Sequence, residues 1–393
     1  MELSNICEYS SKRIDSSLLN VENYVSTENM MQNKGGITLA AKVPVENSVE
    51  FLPGDILISN IRPYFRKIWL SDKKGGCSSD VLCMRALPGT DSTYLYYLLS
   101  QDSFFDYVMS GAKGCKMPRG DKSQIMQWDV DLPNFEEQHR IASILKSIDD
   151  KIQLNNQINH NLEEQAQALY KSWFVDFEPF RNGKFIESEL GLIPEGWKIG
   201  KINDVINLLS GFPFKSTDFQ ENGDYQLITI KGVQDGYLDV TSADMLSSLP
   251  SKMPQYCILN IGDILISLTG NVGRICIVDR NNLLLNQRVA ILSPKNIRDS
   301  FYVYTMFRSE SMKDELIHLA RGTAQLNLSP IETGEKLTVI PPDSILEAFA
   351  KVGKGTFNQY ISLKMENIRL MEMRDSLLPK LMSGELKIND LTC

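Results

Sequence analysis

A short glycine-containing segment, 111–122, carries four cations within ten residues and has no long apolar side chain except Met117. These cations are Lys113, Lys116, Arg119 and Lys122. A second segment, 321–329, replaces most of this charge with hydrogen-bonding side chains, and its polar residues include Arg321, Gln325 and Asn327. Lysine and arginine bind phosphates, whereas arginine, asparagine and glutamine can also bond the edges of bases. Both segments therefore predict contact with DNA.

Two further polar sets follow a short apolar motif, Gly-Asp-Ile-Leu-Ile-Ser, which occurs at 54–59 and again at 262–267. Arg62, Arg66 and Lys67 follow the first copy, and Asn271 and Arg274 follow the second. Since equivalent strands precede these loops, we expect the loops to form equivalent surfaces. For each residue taken singly, a solvated loop without a ligand is the alternative interpretation.

Catalytic patterns are missing from the sequence. It contains no GxxxxGK[ST] phosphate loop, no GxSxG elbow and no Gly-rich dinucleotide fingerprint. The seven cysteines are scattered without a CxxC pair, and only three histidines occur, which argues against a metal site and a disulfide framework. Acidic pairs such as Glu136-Glu137 fall on predicted helices, where they act as N-terminal charges and solvated faces. We therefore expect a protein that is not an enzyme, with no cofactor or metal bound by this chain.

Composition limits the possible partners. The chain has 393 residues, a length that suits two or more domains, and a net charge of −8. No predicted segment is basic overall, so DNA binding must use local patches or charge from a partner. No apolar run of about 18 residues and no apolar signal core occur. The sequence predicts a cytoplasmic protein without membrane contact.

An internal repeat organises the chain. The two GDILIS motifs lie 208 residues apart, and the same spacing relates Tyr94 to Tyr302, Gly114 to Gly322, and Leu132-Pro133 to Ile340-Pro341. One spacing that holds over more than 100 residues indicates duplicated architecture.

Each copy predicts the same order of elements. The expected strands are 55–59, 68–70 and 81–85 in the first copy, and 264–267, 275–278 and 289–292 in the second. A helix follows at about 92–110 or 300–320, then a glycine loop, and then one more strand that ends at Leu132-Pro133 or Ile340-Pro341.

A long helix closes each copy. Its apolar residues alternate at spacings of four and three, which is typical of one helix lying along a single partner helix. The predicted seam comprises Ile148, Ile152, Asn155, Asn159, Leu162 and Leu169 in the first copy, and Tyr360, Leu363, Asn367, Leu370, Leu377 and Leu381 in the second. Gly353-Lys-Gly-Thr356 resembles a helix stop followed by a new N-cap, so we expect a break there and an equivalent break near Ser147–Asp149. Antiparallel pairing would place Asn155 opposite Asn367, and Asn159 opposite Leu363.

These elements predict a mixed α+β fold with five segments. We expect a first target-recognition domain at 1–132, a first helical spacer at 133–178, a linker at 179–197, a second recognition domain at 198–340 and a second helical spacer at 341–393. The two globular domains would be separated by a long antiparallel two-helix coiled coil.

Two stretches carry a family resemblance. LPNFEEQHRIASIL with LEEQAQALYKSWF, and the tail RDSLLPKLMSGEL, resemble the two conserved regions of the specificity subunit of type I restriction–modification systems. The resemblance covers essentially the whole chain, although Ile345-Leu346 replaces the Glu137-Gln138 pair in the second copy.

The resemblance implies a non-catalytic subunit whose two recognition domains each contact one half of a split double-stranded DNA target. It implies that methyltransferase subunits dock on the helices and that a restriction subunit joins them. S-adenosylmethionine, ATP and Mg²⁺ would belong to those partners. A coiled-coil adaptor that binds only proteins is the alternative function.

Overall fold

The computed structural model describes residues 1–114, 116–322 and 325–387. It divides into two compact units: unit 1 contains Met1–Gln153 with the chain from Arg369 onward, and unit 2 contains Leu154–Ile368. None of the helices within the described residues combines the length and the apolar composition that a membrane span requires.

Unit 1 is built on two four-stranded sheets. Its strands are β1 Cys7–Tyr9, β2 Arg13–Ile14, β3 Tyr24–Val25, β4 Ser48–Phe51, β5 Ile56–Ser59, β6 Ile68–Leu70, β7 Gly75–Cys77 and β8 Val81–Ala86. The first sheet has the order β1-β8-β5-β6 and is antiparallel throughout. The second has the order β2-β4-β7-β3, with only β3 and β7 parallel.

Strand β5 shows how the first sheet is buried on both faces. All four of its residues are buried. Ile56 and Ile58 join the core under the helices, whereas Leu57 joins the core shared with Phe51 of the second sheet. Successive side chains of a strand point to opposite faces, so this continuous apolar run requires a layer on each side. Unit 1 therefore has three layers: the helices, the first sheet and the second sheet.

Unit 2 repeats this arrangement with additions. Its strands are β9 Phe185–Ser188, β10 Gly191–Pro194, β11 Lys198–Lys201, β12 Ile206–Ser210, β13 Tyr225–Ile228, β14 Met245–Leu246, β15 Ile264–Ser267, β16 Ile275–Ile277, β17 Leu283–Leu285, β18 Val289–Pro294 and β19 Leu337–Ile340. The sheet β12-β18-β15-β16 corresponds to the first sheet of unit 1, and β14-β13-β17 packs on its other face. Two smaller sheets, β9-β10 and β11-β19, complete the unit.

The predicted strands are present with small changes at their ends, except for one. A strand ending at Ile340 is confirmed by the pairing of β19 with β11. The predicted strand ending at Leu132-Pro133 is wrong: only an isolated bridge between Glu2 and Asp129 occurs there.

The helices differ from prediction at two points. They are α1 Ser92–Leu99, α2 Asp102–Ser110, α3 Lys122–Ile125, α4 Phe135–Tyr170, α5 Ser300–Arg308, α6 Glu310–Leu319, α7 Pro330–Glu335 and α8 Asp343–Met382. The single helices expected at 92–110 and 300–320 are each two helices. In unit 2 the division falls at Ser309, which has extended backbone and caps α6 by accepting from the Met312 amide.

The predicted breaks in the long helices are wrong, because α4 and α8 run without interruption through Ser147–Asp149 and Gly353–Thr356. Gly353 is buried, and a Cβ atom there would lie 1.9 Å from the Phe301 ring. The glycine therefore permits close packing of helix on helix and does not end the helix.

In both units a segment of α4 lies antiparallel to a segment of α8. In unit 1, Arg374 pairs with Asp149 at 2.8 Å, while Leu381 shares a core with Ile141. In unit 2, Asn155 donates to Asn367 at 2.9 Å. The predicted mixed α+β class with antiparallel helix pairing is confirmed, as is the predicted pairing of Asn155 with Asn367.

Candidate nucleic-acid interface

Two loops that lie far apart in the sequence meet in unit 1. They are 60–67, which follows β5, and the described residues of 113–122, and we call them loop pair 1. Lys113 and Arg119 exchange backbone hydrogen bonds of 3.0 Å, and the Arg62 amide donates to the Pro118 carbonyl at 2.8 Å. An isolated bridge joins Ile61 to Arg119. The two polar sets predicted from sequence therefore form one surface.

Unit 2 has the same arrangement, which we call loop pair 2, formed by 268–274 and the described residues of 321–327. Arg321 and Asn327 exchange backbone bonds of 2.9 and 2.8 Å, and the Gly270 amide donates to Leu326 at 2.9 Å. An isolated bridge joins Thr269 to Asn327. Each bond has its counterpart in loop pair 1 at the repeat spacing, so the duplication extends to the backbone of these loops.

Surface ion pairs hold three of the seven cations of loop pair 1, and two of the three lie in the segment 113–122. Lys113 pairs with Asp121 at 2.8 Å and Arg119 with Asp80 at 3.1 Å. The carboxylate raises the pKa of Lys113 through its hydrogen bond and charge. Exposed pairs of this kind contribute little to stability, so the cations can exchange these partners for phosphates. Lys116 is exposed, and so is Lys122, whose ammonium lies 5.9 Å from the Tyr9 ring.

Two of the remaining cations of loop pair 1 lie over the Phe65 ring, with Arg62 Cζ at 6.0 Å and Lys67 Nζ at 5.8 Å from its centroid. Arg62 and Arg66 both have left-handed backbone, with φ of 50°. Arg66 pairs with Asp102 at 3.0 Å. The Lys67 ammonium donates to the Thr27 carbonyl at 2.7 Å, and burial lowers its pKa, followed by the charge of Arg62. Lys67 therefore holds the loop in its observed conformation.

Loop pair 2 carries more amides than cations. Arg321 pairs with Glu332 at 2.9 Å. The side-chain oxygen of Asn327 accepts from the Thr269 hydroxyl at 2.9 Å, and its side-chain nitrogen donates to the Gln325 backbone carbonyl at 3.1 Å. Gln325 itself is exposed. Arg274 donates to the Gln234 side chain at 2.5 Å, and an Asn271 amide oxygen turned toward the guanidinium would accept at 3.1 and 3.3 Å.

Each unit has a hairpin, not predicted from the sequence, that packs against the loop pair. In unit 1 the hairpin Met30–Ile37 places the Asn33 amide 2.9 Å from the Phe65 carbonyl. In unit 2 the hairpin Val233–Leu238 places the Gly236 amide 2.8 Å from the Ile275 carbonyl. Turn residues, Gly35-Gly36 and Asp235-Gly236, mark both hairpins in the sequence. The spacing between the two hairpins differs from the repeat spacing of 208 residues, so the repeat does not relate them.

Comparison with known proteins gives the family. The model of the type I restriction modification DNA specificity domain matches residues 1–164 and 194–343. The chain belongs to this family. It is a specificity subunit of a type I restriction–modification system and determines DNA target recognition; the catalytic activities reside in separate subunits.

Relatives match along most of the specificity subunit. The MjaIX specificity subunit of Methanocaldococcus jannaschii is 28% identical over 91% of this chain and 84% of its own. The HindI specificity subunit of Haemophilus influenzae is 25% identical over 98% of each chain. The crystal structure of an S subunit from M. genitalium has the same fold, with a TM-score of 0.57 and 16% identity over 97% of this chain and 95% of that one. The family favours DNA specificity over the alternative of a protein adaptor.

The helix segments of the specificity subunit have polar residues within their predicted seam. Asn155, Asn159 and Asn367 are buried, and the Asn367 amide also donates to Asn156 at 2.8 Å. Among the described residues, the side-chain oxygens of Asn155 and Asn159 are buried without a hydrogen bond. The other seam residues are buried or half-buried: Ile148, Ile152, Leu162, Leu169, Tyr360, Leu363, Leu370, Leu377 and Leu381.

No metal site occurs in the described part of the specificity subunit, where no group of three or more His, Cys, Asp or Glu side chains could hold an ion. Five of the cysteines, at 7, 77, 83, 257 and 276, are buried and free. Cys115 and Cys393 lie outside the described residues.

Proposed function

We propose that each unit contacts one half of a bipartite double-stranded DNA target through its loop pair. The observation that supports this proposal is the shared backbone of the two loop pairs, which presents different side chains on the same framework. A loop backbone that is the same in both units could bond phosphates in the same way, while its different polar side chains would suit two half-sites of different sequence. The recognition domains would be 1–132 and 198–340, joined by the linker 179–197.

The two loop pairs would recognise DNA by different chemistry. In loop pair 1, Arg62, Arg66, Lys113, Lys116, Arg119 and Lys122 would contact phosphates and guanines, with Lys67 supporting them. In loop pair 2, Asn271, Arg274, Arg321, Gln325 and Asn327 would bond base edges. Arginine pairs with guanine and asparagine or glutamine with adenine in the major groove. Loop pair 1 would therefore contribute more of the salt-dependent binding.

Partner subunits would complete the complex. We propose that the spacers 133–178 and 341–393 dock methyltransferase subunits and that a restriction subunit joins them, in the cytoplasm. S-adenosylmethionine, ATP and Mg²⁺ would bind to those partners and not to this chain. Since the chain has a net charge of −8, binding to DNA would be weak until the partners add their own contacts.

The experiment is a salt titration of DNA binding by the chain assembled with its methyltransferase subunits. Replacing Lys113 and Lys116 with alanine removes two exposed cations of loop pair 1. If both contact phosphates, the slope of log K against log salt decreases by roughly 0.9 for each lost contact. Affinity would fall for every DNA sequence, because phosphate contacts carry no sequence information.

Lys201→Ala is the matched control, since Lys201 is also an exposed lysine in a surface ion pair, with Glu335, and lies outside both loop pairs and both spacers. It should leave the slope unchanged in a complex whose assembly is verified by size-exclusion chromatography. An unchanged slope in the Lys113→Ala/Lys116→Ala variant would contradict the proposed surface.

A further inference from the structure

Arg274 is held from two sides at the surface of loop pair 2. One terminal nitrogen, Nη1, donates to the Gln234 side-chain oxygen at 2.5 Å. The Gln234 amide in turn donates to the Lys231 carbonyl at 2.7 Å, so both ends of this side chain are bonded. The backbone amide of Arg274 donates to Ser267 Oγ at 3.2 Å, which fixes the start of the side chain. The guanidinium therefore has a defined orientation.

The hairpin that carries Gln234 is itself fixed to helix α8. Tyr360 and Lys364 donate to the carbonyl of Gly236 at 3.0 and 2.9 Å. Gly236 has φ of +84°, a backbone conformation that other residues rarely adopt. These bonds connect the turn of the hairpin directly to the helix.

A second set of bonds attaches the hairpin to the helices beneath it. Asp235 accepts from Arg308 and, at 2.9 Å, from Lys313. Arg308 also donates to Glu163 of α4 at 2.9 Å. Three cations and one tyrosine hydroxyl thus restrain two successive hairpin residues, Asp235 and Gly236. A hairpin with these restraints can hold its neighbour Arg274 in place without rearrangement when DNA binds.

We propose that the hairpin Val233–Leu238 determines specificity in unit 2: Gln234 positions the Arg274 guanidinium to bond the O6 and N7 atoms of one guanine, and Tyr360 and Lys364 hold the hairpin in register from α8. This inference rests on the proposed function, and it adds a positioning residue and a base to it. The bonds to Gln234 and Asn271 are made by Nη1 and Nη2. They leave the Nε side of the guanidinium available to DNA, since no acceptor in the described part of the chain bonds Nε. Two donors on that side match the paired acceptors of guanine.

The described residues of unit 1 are arranged differently, so unit 1 provides an internal control. Arg66 occupies the position equivalent to Arg274, but it pairs with Asp102 of α2. The hairpin of unit 1 contributes Lys34, which lies 3.6 Å from the same carboxylate. In unit 1 the carboxylate that contacts the hairpin, Asp102, therefore lies on a helix. In unit 2 the carboxylate, Asp235, lies on the hairpin and its cations lie on helices. Changes in the hairpin of unit 2 should alter only one half of the target.

The test measures base preference at every target position, using the full chain assembled with its methyltransferase subunits and duplexes randomised one base pair at a time. Arg274→Ala should reduce the preference for guanine at one position about tenfold or more. Gln234→Met should reduce the preference at that same position, by a few-fold. The double variant should lose no more than Arg274→Ala alone, because Gln234 acts through Arg274.

Two further variants separate positioning from folding. Tyr360→Phe/Lys364→Met should shift the preference at the same position and in the same direction as Gln234→Met, with thermal unfolding confirming that the chain is folded. Tyr237→Phe, at the exposed tip of the hairpin, should change nothing. The half-site contacted by unit 1 should be unaffected by all of these variants.

The contrary outcomes are distinct. If Arg274→Ala alters the preference at one position and Gln234→Met does not, the hairpin has no positioning role, while the proposed function stands. The same conclusion follows if Gln234→Met weakens binding equally for all sequences. If neither Arg274→Ala nor Asn327→Ala alters the preference at any position, loop pair 2 is not the recognition surface, and both proposals fail.

Discussion

The aspartate of the GDILIS motif has the same backbone role in both units but a different charge environment. The Asp55 carboxylate accepts from the Leu52 amide at 2.8 Å, and Asp263 accepts from the Asn260 amide at 2.7 Å. Asp55 also accepts two bonds from Arg85, of 2.8 and 2.6 Å. The equivalent of Arg85 in unit 2 is Ser293. Burial raises the pKa of Asp263, and no cation among the described residues pairs with it to offset the loss of hydration.

This contrast predicts unequal effects of one substitution. Asp55→Asn should destabilise the chain by about 2 kcal/mol, since it breaks a largely buried ion pair and leaves Arg85 unpaired. Asp263→Asn should have little effect, because no cation is left unpaired. Thermal unfolding of the full chain with each variant measures the difference. Equal losses of stability in the two variants would show that the ion pair with Arg85 contributes nothing to the free energy of unfolding.

The raised pKa of Asp263 also predicts a pH dependence. A carboxyl whose pKa is higher in the folded state than in the unfolded state binds its proton more tightly when folded. Its favourable contribution is complete below the unfolded pKa and is lost as pH rises through the folded pKa. Wild-type chain should therefore gain stability relative to Asp263→Asn as pH falls from neutral, in paired denaturant titrations. A difference in the free energy of unfolding between wild type and Asp263→Asn that does not change with pH would argue against a raised pKa.

At the scale of elements, apolar patterns predicted the central strands because burial on both faces requires a continuous apolar run. The same reasoning predicted two long helices from their seam. It failed at Gly353, where local helix propensity favours a break and packing against Phe301 keeps the helix intact. That contact joins residues far apart in the sequence and leaves no local signal. The cap at Ser309, in contrast, is a local signal that could have divided α5 from α6.

Replacing either of two glycines in α8 with alanine should therefore change the stability of the chain, in opposite directions at the two positions. Gly353→Ala places a methyl group against the Phe301 ring and should destabilise the chain by about 1–3 kcal/mol. Gly355 is exposed and has nothing within 4 Å of its added Cβ, so Gly355→Ala should stabilise by about 0.5–1 kcal/mol through helix propensity. Denaturant unfolding of the two variants gives both values. A stabilising Gly353→Ala would mean that the close contact does not exist.

The buried asparagine pair in the helices predicts a non-additive effect. Replacing either Asn155 or Asn367 with leucine leaves a buried amide facing an apolar group, which should cost about 1–3 kcal/mol. Replacing both should cost less than the sum, since neither amide then lacks its partner. A double-mutant cycle by denaturant unfolding measures the coupling, with exposed Gln157→Ala as the control. Additive losses would indicate that the hydrogen bond between the two amides is unimportant.

At the scale of the whole molecule, the repeat predicted from sequence extends to individual backbone bonds in the two loop pairs. Side-chain contacts within the loops could not be predicted, because they depend on which acceptors the fold brings close. Asp80 and Asp102, for example, pair with Arg119 and Arg66 from other parts of the chain. The hairpins were missed for a related reason. Their spacing departs from the repeat, and only the fold shows that both contact equivalent loops.

The most direct test of the account is the set of DNA sequences modified in a host that carries this chain with its methyltransferase subunits. Genome-wide mapping of modified bases gives the target motif. Two units with equivalent loop pairs predict a split motif, with two short specified parts separated by a gap of fixed length. A continuous motif, or modification by an active complex at sites that share no motif, would contradict recognition of a bipartite target by the two loop pairs.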